Sequence, residues 1–237
     1  MKTRIILFGL ILITGIGIAW YMNKKHNEDP RNPNNRLKVY SPGDINPILV
    51  DDELQNVHKD HKIAPFSFVN QLGDTITEKD FEGKIYITDF FFTTCGSICP
   101  KMTKNLLEIQ ERFKNVPEIM ILSHTVWPEV DSVEQLKRYA DQFKIDANKW
   151  HLVTGDKDEL YKMARKSYLV VPDKDDESME HEGDDETDFI HTENMVLIDP
   201  DRRIRGYYDG VNKNEMKIDL IKDIKDLMRE YDIEDKK

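Results

Sequence analysis

Two cysteines, Cys95 and Cys99, are the only thiols in the 237-residue chain, and they lie four residues apart. Thiolates act as nucleophiles and as ligands for soft metal ions, so the pair predicts disulfide exchange or metal binding. In a regular helix, Cβ atoms at this spacing lie about 5–6 Å apart, whereas a disulfide needs about 3.5–4.5 Å. A disulfide therefore requires Cys95 in a turn outside the helix, while a metal ion with a third ligand fits more easily. The alternative without chemistry is a pair of buried structural cysteines.

The elements around the cysteines are a core strand and the helix that follows it. The apolar, aromatic run from Ile85 to Phe92 predicts a buried strand, and Pro100 is typical of the first turn of a helix. An apolar stripe at spacings of three and four continues that helix through Met102, Leu106, Ile109 and Phe113. Because a helix N-terminus carries partial positive charge, we expect the pKa of both thiols to be lowered.

This stretch resembles the Sco/SenC family of thioredoxin-fold proteins, which handle copper for cytochrome oxidase. The family signature is a strand that ends in an aromatic residue, then Thr and a CxxxCP turn. The matching residues are Phe91, Thr93, Cys95, Cys99 and Pro100. Gly96 stands where the family usually has Pro, which should loosen the turn without removing a ligand. The resemblance continues in a second strand, loop and helix through Ser123, Pro128, Glu129 and Asp131, and in the strand Trp150 to Gly155.

In the family, a histidine in the loop before the last β-hairpin completes the copper site. His191 matches it, because His-Thr is followed by an apolar strand and by Asp199-Pro200. The resemblance thus implies a copper site, Cu(I) and in some states Cu(II), formed by Cys95, Cys99 and His191. His124 and His151 also lie in matched segments, at strand edges where hydrogen-bonded structural histidines are commoner, so we do not expect them to be primary ligands.

The order of predicted elements is βαβα, an extra strand and helix, and then ββα. This order predicts an α/β, thioredoxin-like fold with a central mixed sheet flanked by helices, an N-terminal hairpin, and an acidic insertion before the last β-hairpin. In such a sheet the start of the last hairpin lies beside the turn that contains Cys95 to Cys99, the cysteine turn.

The N-terminus predicts a membrane anchor, residues 1–22, followed by an extended linker, residues 23–60, and the copper-binding domain, residues 61–237. Ile5 to Met22 forms an 18-residue run without a charge, near the minimum that spans a bilayer. It ends in Ala-Trp-Tyr-Met, whereas the alternative, a cleaved signal peptide, would end in small residues. The linker is rich in Asn, Pro, Asp and Lys.

The charge of the chain is concentrated in one segment. Residues 173–188 contain ten acidic residues and one lysine, a net charge of −9 out of −11 for the whole chain. Such a block cannot bury itself, so it predicts a solvated, mobile insertion. The rest of the chain is close to neutral and carries no strong signal for nucleic-acid binding.

The resemblance implies a membrane-tethered copper chaperone that delivers copper to, or prepares, the dinuclear copper site of cytochrome c oxidase subunit II. It implies a single-pass anchor in the cytoplasmic (inner) membrane of a bacterium, with a monomeric soluble domain on the extracytoplasmic side. The alternative is a thiol-disulfide oxidoreductase that keeps the recipient's copper-ligand cysteines reduced. In that case Cys95 and Cys99 are catalytic, as nucleophile and resolving thiol.

Overall fold

The strand that precedes the cysteines lies inside a mixed sheet, which has seven strands in the described part of the chain. The strands are β1 Ser67–Asn70, β2 Thr75–Thr77, β3 Ile85–Phe91, β4 Ile119–Thr125, β5 Trp150–Thr154, β6 Asn194–Ile198 and β7 Ile204–Asp209. Their spatial order is β2-β1-β5-β4-β3-β6-β7. Strands β3, β4 and β5 run parallel, whereas β6 is antiparallel to β3 and the other pairs are antiparallel. All seven residues of β3 are buried, as expected for a central strand with parallel pairing.

Four α-helices accompany the sheet in the described part of the second compact unit. They are α1 Cys99–Arg112, α2 Val133–Phe143, α3 Lys157–Lys162 and α4 Ile221–Glu230. Wider π turns, Met163–Ser167 and Glu215–Leu220, extend α3 and precede α4. The predicted stripe of α1 is buried, with Met102, Leu106 and Ile109 each at most 1% exposed. The predicted mixed sheet with flanking helices is therefore confirmed.

The computed structural model describes residues 14–22, 36–50, 54–59, 61–171 and 192–235. The chain divides into two compact units, Met1–Leu37 and Lys38–Lys237. In the first unit residues 14–22 are helical; within the described ranges, no helix combines the length and apolar character that a membrane crossing needs. The predicted anchor lies only partly within these ranges, and the acidic insertion, residues 173–188, and His191 lie outside them.

The second unit begins before the predicted linker ends. The backbone N–H of Tyr40 donates to the carbonyl of Ile204 at 2.9 Å, and the Tyr40 ring packs edge-on against Tyr207 with centroids 5.5 Å apart. Pro42 and Val50 are buried. Residues 38–50 thus pack on the domain, whereas the sequence predicted an extended linker to residue 60. The reason is that β7 is an edge strand, and Tyr40 pairs with its open side.

Candidate metal centre

Cys95 and Cys99 lie on the two sides of the junction between turn and helix. Cys95 is in the turn after β3 and is partly exposed, whereas Cys99 is the first residue of α1 and is 6% exposed. The Cys99 backbone N–H donates to Cys95 Sγ at 3.4 Å. This hydrogen bond is possible because Cys95 lies outside the helix, in the position that a disulfide or a shared metal ion would require.

The pKa of Cys95 is lowered to about 7. Burial by itself would raise it, but backbone N–H groups of Ser97, Cys99 and Ile98 and the Cys99 thiol donate to the sulfur. These donors stabilise the thiolate, as a helix N-terminus does. Cys95 is therefore substantially ionised at neutral pH and accessible to a partner.

The pKa of Cys99 moves in the opposite direction, to about 12. Burial is the main cause, and the negative charges of Cys95 and Asp89 add to it. The expectation that both thiols have a lowered pKa is thus wrong for Cys99, because desolvation outweighs the helix N-terminus there. The site contains one reactive thiolate and one buried thiol that keeps its proton.

Cys95 and Cys99 both line a cavity of about 240 Å³ at the start of α1. Four apolar side chains line it, those of Phe90, Phe92, Ile98 and Met102. The remaining lining residues are Thr192 and Glu193, which lie immediately before β6. Because β6 pairs with β3, the chain that enters β6 passes the end of the cysteine turn. Thr192 directly follows His191, which lies outside the described residues.

Two hydrogen bonds fix the start of β6 relative to α1. The side-chain amide of Asn105, on α1, donates to the carbonyl of Gly210 at 2.8 Å. The N–H of Gly210 in turn donates to the carbonyl of Glu193 at 2.8 Å. Gly210 has no room for a side chain, since a Cβ there would lie 2.9 Å from the Glu193 oxygen. The position of the segment after His191 is thus set by α1 itself.

The described residues supply two of the three expected metal ligands. Among them, no group of three or more His, Cys, Asp or Glu side chains could hold a metal ion. Two cysteine sulfurs in an apolar cavity are a soft donor set, which suits Cu(I) and falls one ligand short of a three-coordinate site. The donor set therefore fits copper if one further ligand comes from a neighbouring segment.

The other two candidate histidines do not line this cavity. His124 is fully buried and stacks on Phe90 with ring centroids 4.9 Å apart, and its Nδ1 lies 3.1 Å from Thr88 Oγ1. Burial lowers its pKa to about 3, so His124 is neutral at ordinary pH. His151 is half-buried, with its Nδ1 3.4 Å from the side-chain nitrogen of Asn70. These positions agree with a structural role for both.

Two buried carboxylates near the site were not recognised as such from the sequence. Asp89 is 3% exposed in the middle of β3, and Asp131 is fully buried before α2. The sequence contained a signal for the first, a charged residue within an apolar strand. The sequence before α2 offers two candidate helix caps, Asp131 and Ser132, and the structure gives the role to Ser132, whose Oγ accepts from the N–H of Gln135.

Comparison with known proteins agrees with this geometry. A family model described as SCO1/SenC matches residues 55–229. This chain belongs to the SCO1/SenC family. A SCO1 protein homolog from Bacillus subtilis is 32% identical to it over 168 residues, which cover 70% of this chain and 82% of the relative. The chain spans about half the length of mitochondrial relatives from human and mouse, 50% and 52%.

Solved structures of the family share the fold of this member. A SCO1/SenC family lipoprotein from Bacillus anthracis aligns with a TM-score of 0.60 at 29% identity, over 70% of this chain and 95% of that chain. BsSco is described with a disulfide switch and as a member of the Sco family of cytochrome c oxidase assembly proteins. It aligns with a TM-score of 0.58 at 31% identity, over 71% of this chain and 94% of that chain. Arabidopsis thaliana ScoI, solved with copper bound, aligns with a TM-score of 0.53 at 26% identity, over 69% of this chain and 98% of that chain. The predicted thioredoxin-like fold is confirmed.

Proposed function

We propose that this SCO1/SenC family member binds copper through Cys95, Cys99 and His191, and delivers it to, or prepares, the dinuclear copper site of cytochrome c oxidase subunit II. One observation carries the proposal: Cys95 and Cys99 line one cavity together with Thr192, the residue next to His191. The copper bound to Arabidopsis thaliana ScoI and the description of BsSco as an oxidase assembly protein support it.

Metal binding at this site is coupled to proton release. A thiol binds copper as the thiolate, so Cys99, whose pKa is raised to about 12, must lose its proton when the metal enters. Cys95, with a pKa lowered to about 7, is already half ionised at neutral pH. Copper affinity should therefore rise about tenfold per pH unit above pH 7, where only the Cys99 proton remains to be displaced, and more steeply below pH 7. With three protein ligands, a fourth position stays open for a ligand of the recipient protein.

The unequal thiols also favour a second function, thiol-disulfide exchange. The Cys95 thiolate would attack a disulfide of the partner, form a mixed disulfide and release the first partner thiolate. Cys99 would then lose its proton and attack Cys95 Sγ, which releases the second partner thiolate. The partner gains two electrons, and the Cys95–Cys99 pair is left as a disulfide. The disulfide switch described for BsSco supports this alternative.

The cellular setting is part of the proposal. We propose a single-pass anchor within residues 1–22 that holds a monomeric domain on the extracytoplasmic side of a bacterial membrane, with the acidic segment, residues 173–188, as a solvated insertion. The lipoprotein described for Bacillus anthracis supports membrane attachment in this family. The exposed domain of oxidase subunit II is the proposed partner.

The test is a Cu(I) competition titration of the reduced full-length chain in detergent. We expect one tightly bound Cu(I) per chain, and Cys95→Ser, Cys99→Ser and His191→Ala should each weaken it by more than about 100-fold. His151→Ala is the matched control and should bind as the wild type does. His191→Ala should retain part of the disulfide exchange activity, because both thiols remain. Tight copper binding that does not need His191 would refute the ligand set, and no tight copper with a cycling disulfide would favour the oxidoreductase.

A further inference from the structure

Asp131 is a buried carboxylate whose side chain contacts Thr93, two residues before Cys95, and Thr125 at the end of β4. Its side chain is fully buried although it lies one residue before the cap of α2. A buried carboxylate is stable only when hydrogen-bond donors surround it. The residues that donate to Asp131 therefore show what it holds in place.

Three donors converge on Asp131 from two strand ends. The backbone N–H of Thr93 donates to Oδ1 at 3.3 Å and to Oδ2 at 3.2 Å, and Thr93 Oγ1 donates to Oδ1 at 2.5 Å. Thr125 Oγ1, at the end of β4, donates to Oδ2. The carboxylate thus joins the residues just after β3 to the end of β4 and the start of α2.

Helix α2 adds a further contact to the same threonine. The side-chain nitrogen of Gln135 donates to Thr93 Oγ1 at 2.9 Å. The orientation of this amide is fixed because its oxygen accepts from Nε and Nη2 of Arg138, at 3.1 and 2.7 Å. Thr93 is therefore held by two side chains, those of Asp131 and Gln135.

Thr93 is the last residue held in this way before Cys95. Beyond it, the backbone N–H of Cys95 donates to the carbonyl of Phe92 at 3.3 Å, and the next fixed element is α1. Gly96 contributes no side chain, and a Cβ at that position would find no atom within 4 Å. The turn whose N–H groups point at Cys95 Sγ is thus fixed at one end by Asp131 and at the other end by the helix.

We propose that Asp131 is a positioning residue for the cysteine turn. Its carboxylate holds Thr93 in place, so that the backbone N–H groups after Cys95 stay directed at the Cys95 sulfur. The inference extends the proposed function, since Cys95 would be a copper ligand or nucleophile there. Its physical basis is separate: a carboxylate accepts from all these donors at once, whereas an amide in its place turns an N–H₂ group towards at least one of them.

The experiment measures the rate at which iodoacetamide alkylates Cys95 between pH 5 and pH 10, in the metal-free, reduced full-length chain. Peptide mass mapping separates Cys95 from Cys99. The wild-type rate should be half-maximal near pH 7, following the pKa of about 7. Asp131→Asn and Thr93→Val should move the midpoint up by about one pH unit, which lowers the rate at pH 7 about fivefold.

Thr125→Val is the matched control, because it removes a donor to the same carboxylate without touching Thr93. It should lower the melting temperature and leave the alkylation profile unchanged. Thr93→Val has almost the shape of threonine, so it tests the proposal even if Asp131→Asn fails to fold. An unchanged profile in both Asp131→Asn and Thr93→Val, or an equal shift in Thr125→Val, would overturn the proposal. Copper plays no part in this measurement, so a failure of the copper proposal appears separately, as a wild-type chain that binds no copper.

Discussion

Replacing Asp89 by Asn should make the stability of this domain depend on pH in a new way. Asp89 lies in the middle of β3, where its carboxylate accepts from Ser123 Oγ, and the indole N–H of Trp150 donates to the same hydroxyl at 2.8 Å. Burial raises the pKa of Asp89 from 3.8 to about 7, although the Ser123 hydroxyl and the Asp89 backbone N–H favour the charged form. The folded protein therefore binds this proton more tightly than the unfolded chain does.

The sign and size of the effect follow from linkage. Because the folded-state pKa is raised, the contribution of Asp89 to stability is complete below about pH 4 and is lost as the pH rises to 7. A shift of about three pKa units corresponds to about 4 kcal/mol. Asn does not titrate, so the free energy of unfolding of Asp89→Asn, relative to the wild type, should rise by about 4 kcal/mol between pH 4 and pH 8. With about 1 kcal/mol lost from the altered contact with Ser123, the variant should be the more stable protein at pH 8.

His124 makes this comparison between variants necessary. Burial lowers its pKa to about 3, so its contribution to stability is present above its unfolded pKa of 6.5 and is lost as the pH falls towards 3. The two groups therefore act in opposite directions between pH 4 and pH 6.5, and the wild-type stability should change little there. His124 is common to both proteins and cancels in their difference.

The assay is urea unfolding of the reduced, metal-free chain at pH 4.5, 6 and 8, with Asp141→Asn as control. The Asp141 side chain is 68% exposed, so its replacement should change stability by only a few tenths of a kcal/mol at each pH. Asp89→Asn should also lower the pKa of Cys99, since the Asp89 charge contributes to raising that pKa. A difference between Asp89→Asn and wild type that is the same at all three pH values would refute the reasoning.

Two glycines give further predictions. Gly96→Ala should raise the free energy of unfolding by about 0.4–1 kcal/mol in urea, because the added Cβ meets no atom within 4 Å and the unfolded chain loses freedom; a destabilised variant would show that the turn needs glycine. Gly210→Ala should lower it by about 1–3 kcal/mol, since its Cβ would lie 2.7 Å from Met195 Cε and 2.9 Å from the Glu193 carbonyl. Gly210→Ala should also weaken copper binding by moving the segment next to His191, and a Cu(I) competition titration showing wild-type affinity would contradict that.

Much of the site was predictable from the sequence because its signals are local. The buried strand, the turn and the Pro-containing helix start all lie within residues 85–100, and the observed β3 and α1 begin within one residue of their predicted positions. Thr77 followed three residues later by Asp80 is another local signal, and the backbone N–H of Thr77 donates to the Asp80 carboxylate at 2.7 Å. Patterns of this kind need only the period of a strand or helix and the chemistry of its ends.

The tertiary structure decided what depends on residues far apart in the chain. Thr192 shares a cavity with Cys95 because β6 pairs with β3, and residues 38–50 pack on the domain because Tyr40 meets the open edge of β7. The opposite pKa shifts of the two thiols follow from burial and from the directions of individual N–H groups. In the sequence Asp131 is one of two candidate caps of α2, beside Ser132, and only the fold shows that its carboxylate turns inward to Thr93. Sequence periodicity determines which residues face inward, whereas desolvation and hydrogen-bond geometry are set only when distant segments pack together.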